Sequence, residues 1–388
     1  MKKNIIAVLA MLVAVDHAFS QDGFIAQFRK SDANGDGNLS IAEAPERERL
    51  IRAADADESG DVTLREVGAY FKKLKADSEP NENVAPTTNV AEDFPKDAPI
   101  TVTSCKAAAA YSDSGNGHAV VVMYRGQIVF EHYSNGWTAE KAHRLASGTK
   151  SFSAGMLAAA VKDGLITGVD EPVSKTITEW KSNEALAEIT FEHLLSLTSG
   201  IDPGSVGKVP TYAEAISLSG VESKPGEKFA YGPVSFQIFG EVMRRKLKER
   251  DGASSDPLAF LEAKIFEPIG METKLWIRGA DGNPKLPSGV LLLATEWIKY
   301  GEFLRTDGGA VLDANVMERA VKGSTANPKY GLTFWLSDRG YQASGAGKQR
   351  LYVFPKEETV VVRFGESSGK KKFDDDVFMQ HLFSNIEE

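Results

Sequence analysis

Cysteine is almost absent from this chain of 388 residues, because Cys105 is the only one. A single cysteine cannot close an intramolecular disulfide and cannot build a cysteine-rich zinc site. It lies in the polar run Thr101–Lys106, so we do not expect it to be a nucleophile. A His-Glu-x-x-His motif is also absent, and the histidines of the mature chain form no recognisable motif. These absences argue against a zinc peptidase, a cysteine hydrolase and a Ser-His-Asp hydrolase.

Basic charge is in deficit as well, because 45 lysines and arginines face 54 aspartates and glutamates, which gives a net charge of -9. Binding to nucleic acid needs a basic surface, so we expect no nucleic-acid partner. No stretch of eighteen consecutive apolar residues occurs anywhere in the chain, so we predict no membrane span.

The N-terminus has the pattern of a secretory signal peptide. Lys2 and Lys3 precede an apolar run from Ile5 to Val15, and Ala18-Phe19-Ser20 offers small residues at the -3 and -1 positions of a cleavage site. No cysteine follows this run, which argues against a lipoprotein anchor; a short N-terminal membrane anchor is the alternative. We expect residues 1–20 to be a signal peptide and the mature protein to be periplasmic or extracellular.

Composition divides the rest of the chain into three parts. Residues 21–76 are acidic and rich in turns. Residues 77–98 combine prolines and acids without a periodic apolar pattern, so we expect a flexible, extended linker. Residues 99–388 carry apolar runs typical of strands at both ends, including a hairpin over Ala119–Tyr133, and helical patterns between them. For this part we predict an α+β fold with one antiparallel sheet flanked by helices, and a helical subdomain.

Two loops in the N-terminal part fit the calcium-binding loop of an EF-hand at every position. In each loop, oxygen-bearing side chains stand at positions 1, 3, 5 and 9, a main-chain carbonyl is available at 7, glycine makes the turn at 6, and glutamate closes the loop at 12. The predicted calcium ligands are Asp32, Asn34, Asp36, Asn38 and Glu43 in the first loop and Asp55, Asp57, Ser59, Asp61 and Glu66 in the second.

The spacing of these loops predicts a compact, small all-α pair. One helix near Arg47–Ala53 must both leave the first loop and enter the second, and Leu39 should belong to a short strand that pairs with the second loop. The pair resembles the EF-hands of exported bacterial proteins and also dockerin modules, which usually close the loop with aspartate. Glutamate at position 12 favours an EF-hand pair. We expect Ca²⁺ to be structural and unnecessary for the chemistry, and the module to stabilise the protein or attach it to the cell surface or wall.

A serine with a lysine three residues later can place a base beside a nucleophile. This spacing begins at four positions, Ser147, Ser205, Ser367 and Ser368. Only Ser147-Gly-Thr-Lys150 leads directly into an apolar helical segment. A helix N-terminus offers free N–H groups to a developing oxyanion, and the lysine lies on the same face. We therefore predict Ser147 as the nucleophile with Lys150 beside it; the alternative is that Ser147 only caps the helix.

The chain around Ser147 resembles the serine β-lactamase and penicillin-binding-protein superfamily, especially its class C-related, esterase-like branch. The resemblance covers about residues 110–366 and implies a β-lactamase/transpeptidase-like fold and a serine hydrolase that forms an acyl-enzyme at Ser147. The segments that carry it, in order, are His143–Phe152, Thr190–Ile201, Pro225–Tyr231 with Phe236–Gly240, Ile265–Thr273, and Tyr330–Trp335 with Ser344–Pro355.

The resemblance also implies roles for two further residues. Tyr231 corresponds to the tyrosine of the second motif, a general base or proton relay beside Ser147 and Lys150. Because a phenol with a pKa near 10 is a weak base at neutral pH, we expect Lys150 to depress its pKa. The alternative is a core tyrosine with a satisfied hydroxyl. In the third motif, an N–H near Gln349 is expected to complete the oxyanion hole.

The chain departs from the family pattern at two places. Pro233 stands where the second motif often has asparagine, and the strand from Ser344 to Gln349 lacks the usual lysine or histidine unless Lys348 replaces it. Both departures weaken recognition of a penicillin carboxylate. We therefore expect an ester or amide substrate, peptidoglycan-type peptides included, rather than a β-lactam. The alternative from another class is an inactive β-lactamase-like binding protein attached or stabilised through its EF-hands.

Overall fold

The computed structural model describes residues 28–77, 79–252, 255–366 and 372–384, so the predicted signal peptide lies outside the described residues. The chain forms two compact units, one up to Glu79 and one from Pro80 onward. In the described part of the chain, no helix combines the length and apolar character that crossing a membrane requires.

Besides helical residues 28–31 and a 3₁₀ turn at Pro45–Arg47, the described residues of the first unit form two short strands and two α-helices, namely β1 (Asn38–Ser40), α1 (Glu48–Ala54), β2 (Asp61–Thr63) and α2 (Leu64–Asp77). The two strands are antiparallel, with Leu39 opposite Val62, as the loop register predicts. Both side chains are buried in a small apolar core with Phe28, Ile51 and Val67. Helix α1 occupies the place between the two loops that the spacing requires.

The second unit is built on a sheet of seven described strands whose neighbouring pairs are all antiparallel. The spatial order is β3-β5-β4-β12-β11-β10-β9. These strands are β3 (Thr87–Val90), β4 (Gly117–Tyr124), β5 (Gln127–Tyr133), β9 (Trp335–Leu336), β10 (Tyr341–Gly345), β11 (Gln349–Phe354) and β12 (Thr359–Gly365). The predicted hairpin is confirmed by β4 and β5, which turn at Arg125 and Gly126 with φ values of 48° and 82°.

Three two- or three-residue strands form a separate small sheet in the order β6-β8-β7, with β6 at His143–Arg144, β7 at Leu275–Trp276 and β8 at Val290–Leu292. The helices of this unit are α3 (Val102–Ser114), α4 (Ser151–Lys162), α5 (Glu184–Ala187), α6 (Phe191–Leu195), α7 (Tyr212–Ser217), α8 (Val234–Asp251), α9 (Pro257–Leu261), α10 (Ala294–Arg305), α11 (Ala314–Ala320) and α12 (Asp375–Leu382).

Helices cover both faces of the large sheet, which explains why every residue of β4, β11 and β12 is buried. Helices α3 and α12 share one apolar cluster with the sheet, and α4, α8 and α10 share the larger cluster on the other face. This mixed helix and sheet architecture is the β-lactamase/transpeptidase-like α+β fold that the sequence predicts.

Two expectations about local structure are wrong. The segment predicted as a flexible linker contains β3, which pairs with β5 along its whole length, from Thr87 opposite Tyr133 to Val90 opposite Phe130. The main chain of an edge strand is held by hydrogen bonds regardless of its polar side chains, so composition alone does not reveal it. Cys105, expected in a polar run, is buried in α3, and burial raises the pKa of its thiol to about 12.

Candidate active site

Ser147 lies in a 3₁₀ turn, Ala146–Lys150, that continues directly into α4. The turn begins after Leu145, whose N–H donates to the carbonyl of Val290 in β8. Ala146 has φ 47°, in the left-handed region that an L-residue adopts at a cost of roughly 1–3 kcal/mol. The small sheet and the sheet-covering helices hold this strained residue, and Ser147 follows it as one of the first residues of the helical segment. Its N–H therefore belongs to the group that has no partner within the helix.

Lys150 is almost completely buried, with an exposure of 4%, and its amine points at Ser147. Its Nζ donates to Oγ of Ser147 at 3.2 Å and to the carbonyl oxygen of Pro287 at 3.0 Å. The rings of Tyr231 and Phe236 lie 5.0 and 5.4 Å away. Burial lowers the pKa of Lys150 to about 7, because the charged amine has lost water and has gained no carboxylate. The amine is therefore partly neutral near pH 7 and can accept a proton from the serine.

The ring of Tyr231 lies 5.0 Å from Nζ of Lys150, and its hydroxyl is close enough to the side chain of Ser147 for the serine to lower the pKa of the phenol, so the structure brings together the predicted trio of serine, lysine and tyrosine. Tyr231 is held by the loop that precedes α8, where the N–H of Ala230 donates to the carbonyl of Leu197 at 2.9 Å. Its ring stacks on Trp335, with centroids 6.2 Å apart. This contact places aromatic surface beside the serine.

The expected effect of Lys150 on Tyr231 is not found. Burial raises the pKa of Tyr231, against weaker lowering by the hydrogen bond to Ser147 and by the charge of Arg350. Lys150 does not act as the depressing cation, because its own burial favours the neutral amine. The two pKa values are therefore shifted so that near pH 7 the amine is available as a proton acceptor, whereas the phenol keeps its proton.

Pro233, which stands where the second motif often has asparagine, lies at the start of α8. Pro233 caps this helix, so no amide side chain reaches Lys150 from that position. The nearby amide of Gln237 is buried and bonded to other groups, because it donates to the carbonyl of Pro210 at 2.7 Å and accepts from the N–H of Leu286 at 3.2 Å. Leu286 precedes Pro287, whose carbonyl binds Lys150. Sequence reasoning missed Pro287 because a main-chain ligand leaves no residue-type signal.

The strand that abuts the nucleophile is β10, and its contacting residue is Gly345. A Cβ at Gly345 would lie 2.0 Å from the carbonyl oxygen of Leu145 and 3.1 Å from the nitrogen of Gly148. Only glycine lets the strand approach the turn around Ser147 this closely. Along β10 the residues on the same face as Gly345 are Tyr341 and Ala343, and neither carries a positive charge.

The predicted third-motif residues lie elsewhere in this hairpin. Lys348 does not replace the missing cation, because its Nζ binds Asp375 of α12 at 3.0 Å. Gln349 belongs to β11, opposite Gly345, and its buried amide bonds the main chain of Gly365 at 2.6 and 3.1 Å. These bonds occupy the side-chain amide of Gln349, so the expected oxyanion donor near this residue stays a prediction for a main-chain N–H, and Gly345 is the residue of the hairpin that contacts the turn around Ser147. A β-hairpin places its two strands at unequal distances from the turn around Ser147, and the sequence does not reveal which is nearer.

The histidines of the described residues bind partners other than Ser147. His118 and His143 form a buried pair with nitrogens 3.0 Å apart, His132 binds Asp113, and His193 caps α6. One Gly-x-Ser-x-Gly sequence, at residues 365–369, does occur, with its serine outside the described residues. No Ser-His pair is formed at Ser147, whose side-chain partners are Lys150 and Tyr231.

In the first unit, the second loop brings three of its predicted ligands together. Carboxylate oxygens of Asp55, Asp57 and Glu66 all lie within 4.8 Å of one another, a spacing that fits one metal ion. In the other loop, Oδ2 of Asp32 accepts from the N–H of Gly37 at 3.0 Å, and Glu43 folds back to accept from Asn34 at 3.2 Å. A set of hard oxygen donors suits Ca²⁺.

Comparison with protein families gives one match, to the family model described as Beta-lactamase, over residues 106–382. No curated protein sequence matches the chain.

Solved structures of similar fold include FmtA from Staphylococcus aureus, with a TM-score of 0.58 and 16% identity over 81% of this chain and 95% of that one. A class C β-lactamase from Rhodobacter sphaeroides aligns with a TM-score of 0.56 and 15% identity, covering 72% of this chain and 99% of that one. EstCE1, described as a hydrolase with promiscuous acyltransferase activity, aligns with a TM-score of 0.56 and 15% identity, covering 73% of this chain and 98% of that one. At these identities the likeness shows the fold.

Proposed function

Because this chain belongs to the Beta-lactamase family, we propose that it is a serine hydrolase that forms an acyl-enzyme at Ser147. The observation that carries the proposal is the contact between Nζ of Lys150 and Oγ of Ser147, made by an amine that burial leaves partly neutral. A neutral amine within hydrogen-bonding distance is the base that an otherwise weak serine nucleophile requires.

In the proposed mechanism, Ser147 attacks the carbonyl carbon of an ester or amide while Lys150 accepts the hydroxyl proton. The tetrahedral oxyanion is held by main-chain N–H groups, one from Ser147 and one from the Gly345 end of β10. Tyr231, which keeps its proton, relays a proton to the leaving alkoxide or amine as the carbon–oxygen or carbon–nitrogen bond breaks. Water then attacks the acyl-enzyme, and release of the acid returns Ser147 to its starting state.

We propose a neutral ester or amide as the substrate class rather than a β-lactam. Recognition of a β-lactam carboxylate calls for an available cation beside the nucleophile, whereas the face of β10 that includes Gly345 carries Tyr341 and Ala343, and Lys348 and Arg350 are both bound to Asp375. The half-buried ring of Trp335, stacked on Tyr231, favours an apolar acyl group or leaving group.

A hydrolysis screen tests this proposal directly. The purified protein and its Ser147→Ala variant are assayed on p-nitrophenyl esters of increasing chain length, on nitrocefin and on peptides ending in D-Ala-D-Ala, and both are treated with a fluorophosphonate probe. We expect ester hydrolysis and covalent labelling of the wild type alone. Absence of both from the wild type would instead support the inactive binding protein, and labelling that persists in Ser147→Ala would place the nucleophile elsewhere.

For the first unit and the N-terminus, we propose export to the periplasm or the extracellular space and Ca²⁺ bound in both loops. Calcium would be held by the carboxylate, amide, hydroxyl and carbonyl oxygens named above, where it would neutralise the clustered acids and fix the loops. The proposed role of calcium is to stabilise the structure or to support attachment to the cell surface. No step of the proposed chemistry at Ser147 uses it.

A further inference from the structure

The hairpin between β10 and β11 has an unusual distribution of hydrogen bonds. Each of five consecutive main-chain carbonyls, from Gly345 to Gln349, accepts a bond from a side chain. Arg350 binds the carbonyls of Gly345 and Gln349 at 3.4 and 2.9 Å, and Gln349 binds that of Ala346 at 3.2 Å. Arg363 binds those of Gly347 and Lys348 at 3.1 and 3.0 Å. Tight hairpins ordinarily leave such carbonyls to water.

The side chains that bind this hairpin are themselves buried and fixed. Arg363 is fully buried, and its remaining nitrogens bond the hydroxyl of Ser112 and the carbonyl of Gly115. A Cβ on Gly365 would lie 2.4 Å from its guanidinium carbon, so glycine is required there to make room. Arg350 is held from the other side by Asp375, with Nε 2.6 Å from Oδ1.

This arrangement is costly if its only purpose is a stable fold. Arg350 and Arg363 are directly opposite each other on neighbouring strands, where like charges destabilise a sheet. Asp375 is the carboxylate that pairs with Arg350, whereas Arg363 has only neutral hydrogen-bond acceptors in the described part of the chain. Apolar residues of similar size usually serve stability as well or better at buried positions. Local conflicts of this kind concentrate at functional sites.

The orientation of the peptide planes in the hairpin indicates where its main-chain N–H groups point. Across a planar trans peptide, the carbonyl of one residue and the N–H of the next point in opposite directions. Gly345 pairs with Gln349 of β11, and its carbonyl accepts a bond from the side chain of Arg350, which places the N–H of Ala346 on the side of the strand away from β11. That direction is the open edge of β10, because β9 pairs only with Tyr341 and Gln342. The turn around Ser147 packs against this same edge at Gly345.

We propose that Arg363 and Arg350 are positioning residues of the oxyanion hole: by binding the carbonyls of the 345–349 hairpin, they fix the N–H of Ala346 toward the tetrahedral oxyanion formed at Ser147. The inference rests on the proposed acyl-enzyme chemistry. Arg363 also places a positive charge behind the hairpin, on a strand next but one to β10, where water cannot screen it. Donors that are fixed before the reaction need no reorganisation as charge develops, which is where such a site lowers the barrier.

The test uses the full-length protein, the best p-nitrophenyl ester from the screen, and phenylboronic acid as a mimic of the tetrahedral intermediate. Arg363→Met should lower kcat by about 100-fold, the typical loss when one oxyanion donor is removed, while KM changes little. Affinity for phenylboronic acid should fall in parallel with kcat/KM across the variants. Arg363→Lys, which keeps the charge but cannot make the same set of bonds, should fall between Arg363→Met and the wild type.

The matched control is Arg305→Met, which removes a largely shielded arginine whose partner is Glu302 of the same helix. It should change the melting temperature without changing kcat or boronic-acid affinity. The proposal is overturned if folded Arg363→Met keeps kcat and boronic-acid affinity within about threefold of wild type. It is also overturned if Arg363→Met and Arg363→Lys lose activity without a parallel loss of boronic-acid affinity. If Arg363→Met does not fold, Arg363→Lys decides by the same two measurements. Failure of the wild type itself to turn over or label would instead refute the proposed function.

Discussion

Lys150 is the residue at which the stability of this fold and its proposed chemistry oppose each other. Its amine is buried beside two aromatic rings, with Ser147 and one main-chain carbonyl as its hydrogen-bond partners. A carboxylate neighbour would hold the amine charged and useless as a base, and the structure places none there. Burial thus produces the base, and the unfavourable protonated form is the cost.

The pH dependence of turnover should report this amine. Because Lys150 must be neutral to accept a proton and burial lowers its pKa to about 7, kcat/KM should rise with pH through about 7 and then level off. In Tyr231→Phe the plateau should fall strongly while the midpoint stays in place, because the pKa of Tyr231 is raised and the phenol does not titrate in this range. Stopped-flow or plate-reader assays from pH 5 to 9 measure both. A midpoint that moves with Tyr231→Phe would assign the base to the tyrosine.

Lys150→Met should abolish turnover and stabilise the fold. Lysine in the unfolded chain has a pKa near 10.5, against about 7 in the folded protein, so the unfolded state binds the extra proton between these values. Stability of the wild type therefore falls as pH drops from about 10 to 7 and is then level, whereas the methionine variant lacks this loss. Melting temperatures of the two proteins at pH 7 and at pH 10 measure it. A smaller advantage for Lys150→Met at pH 7 than at pH 10 would contradict the assignment.

At the scale of elements, a single carboxylate binds groups from more than one segment of the chain. Asp375, the first residue of α12, accepts bonds from Lys348, Arg350 and Tyr352 and so ties the C-terminal helix to the hairpin beside Ser147. The calcium loops act similarly within the first unit, because Glu43 and Glu66 each bond the loop and the strand that it joins. In both cases one carboxylate orders a segment that has little apolar surface of its own.

Calcium should stabilise the first unit specifically. Extracellular calcium modules have dissociation constants of about 10⁻⁴–10⁻³ M. At 10 mM Ca²⁺ each occupied loop then adds about 1.4–2.7 kcal/mol to the free energy of unfolding. Differential scanning calorimetry in Ca²⁺ and in a chelator, with Mg²⁺ as the ionic control, measures the shift. The double variant Glu43→Gln/Glu66→Gln should lose it, and a shift that survives in this variant would place the ion elsewhere.

For the whole molecule, the boundary between the two units lies at Glu79, which is earlier than composition indicates. The strand β3 belongs to the second unit, because it covers the edge of β5. An uncovered edge exposes a row of main-chain donors and acceptors and promotes aggregation. The N–H of Asn81 also bonds the carbonyl of Gly136, so residues immediately after the boundary are part of the same unit.

Two truncated chains test whether the second unit begins before β3. A chain that begins at residue 80 should keep the proposed turnover and the melting temperature of the second unit, since the two units have separate cores. A chain that begins at residue 91 loses β3 and should melt several degrees lower and aggregate. Calorimetry and size-exclusion chromatography distinguish them. Equal behaviour of the two chains would show that β3 contributes nothing to the sheet, and loss of turnover in both would show that the first unit is needed.

Much of the fold and site follows from the sequence because it depends on local patterns. Alternating apolar residues predict the β4–β5 hairpin, and the apolar stretch after Ser147 predicts α4. The trio Ser147, Lys150 and Tyr231 is found through motifs in which residue type carries the chemistry. The two predicted calcium loops are equally local, since all the predicted ligands of each come from twelve consecutive residues.

The tertiary structure alone decides what depends on main-chain groups and on burial. Main-chain atoms, which every residue has, make three of these contacts, so residue type does not predict them. They are the bond to the carbonyl of Pro287, the close approach of Gly345 and the strand pairing of Thr87–Val90. Loss of water favours the neutral form of both Lys150 and Tyr231, so it lowers the pKa of the amine and raises that of the phenol, and the extent of that loss is a property of the surrounding packing rather than of the motif. The sequence therefore determines which chemical groups are available, and the packing sets their protonation and the direction of the main-chain donors around them.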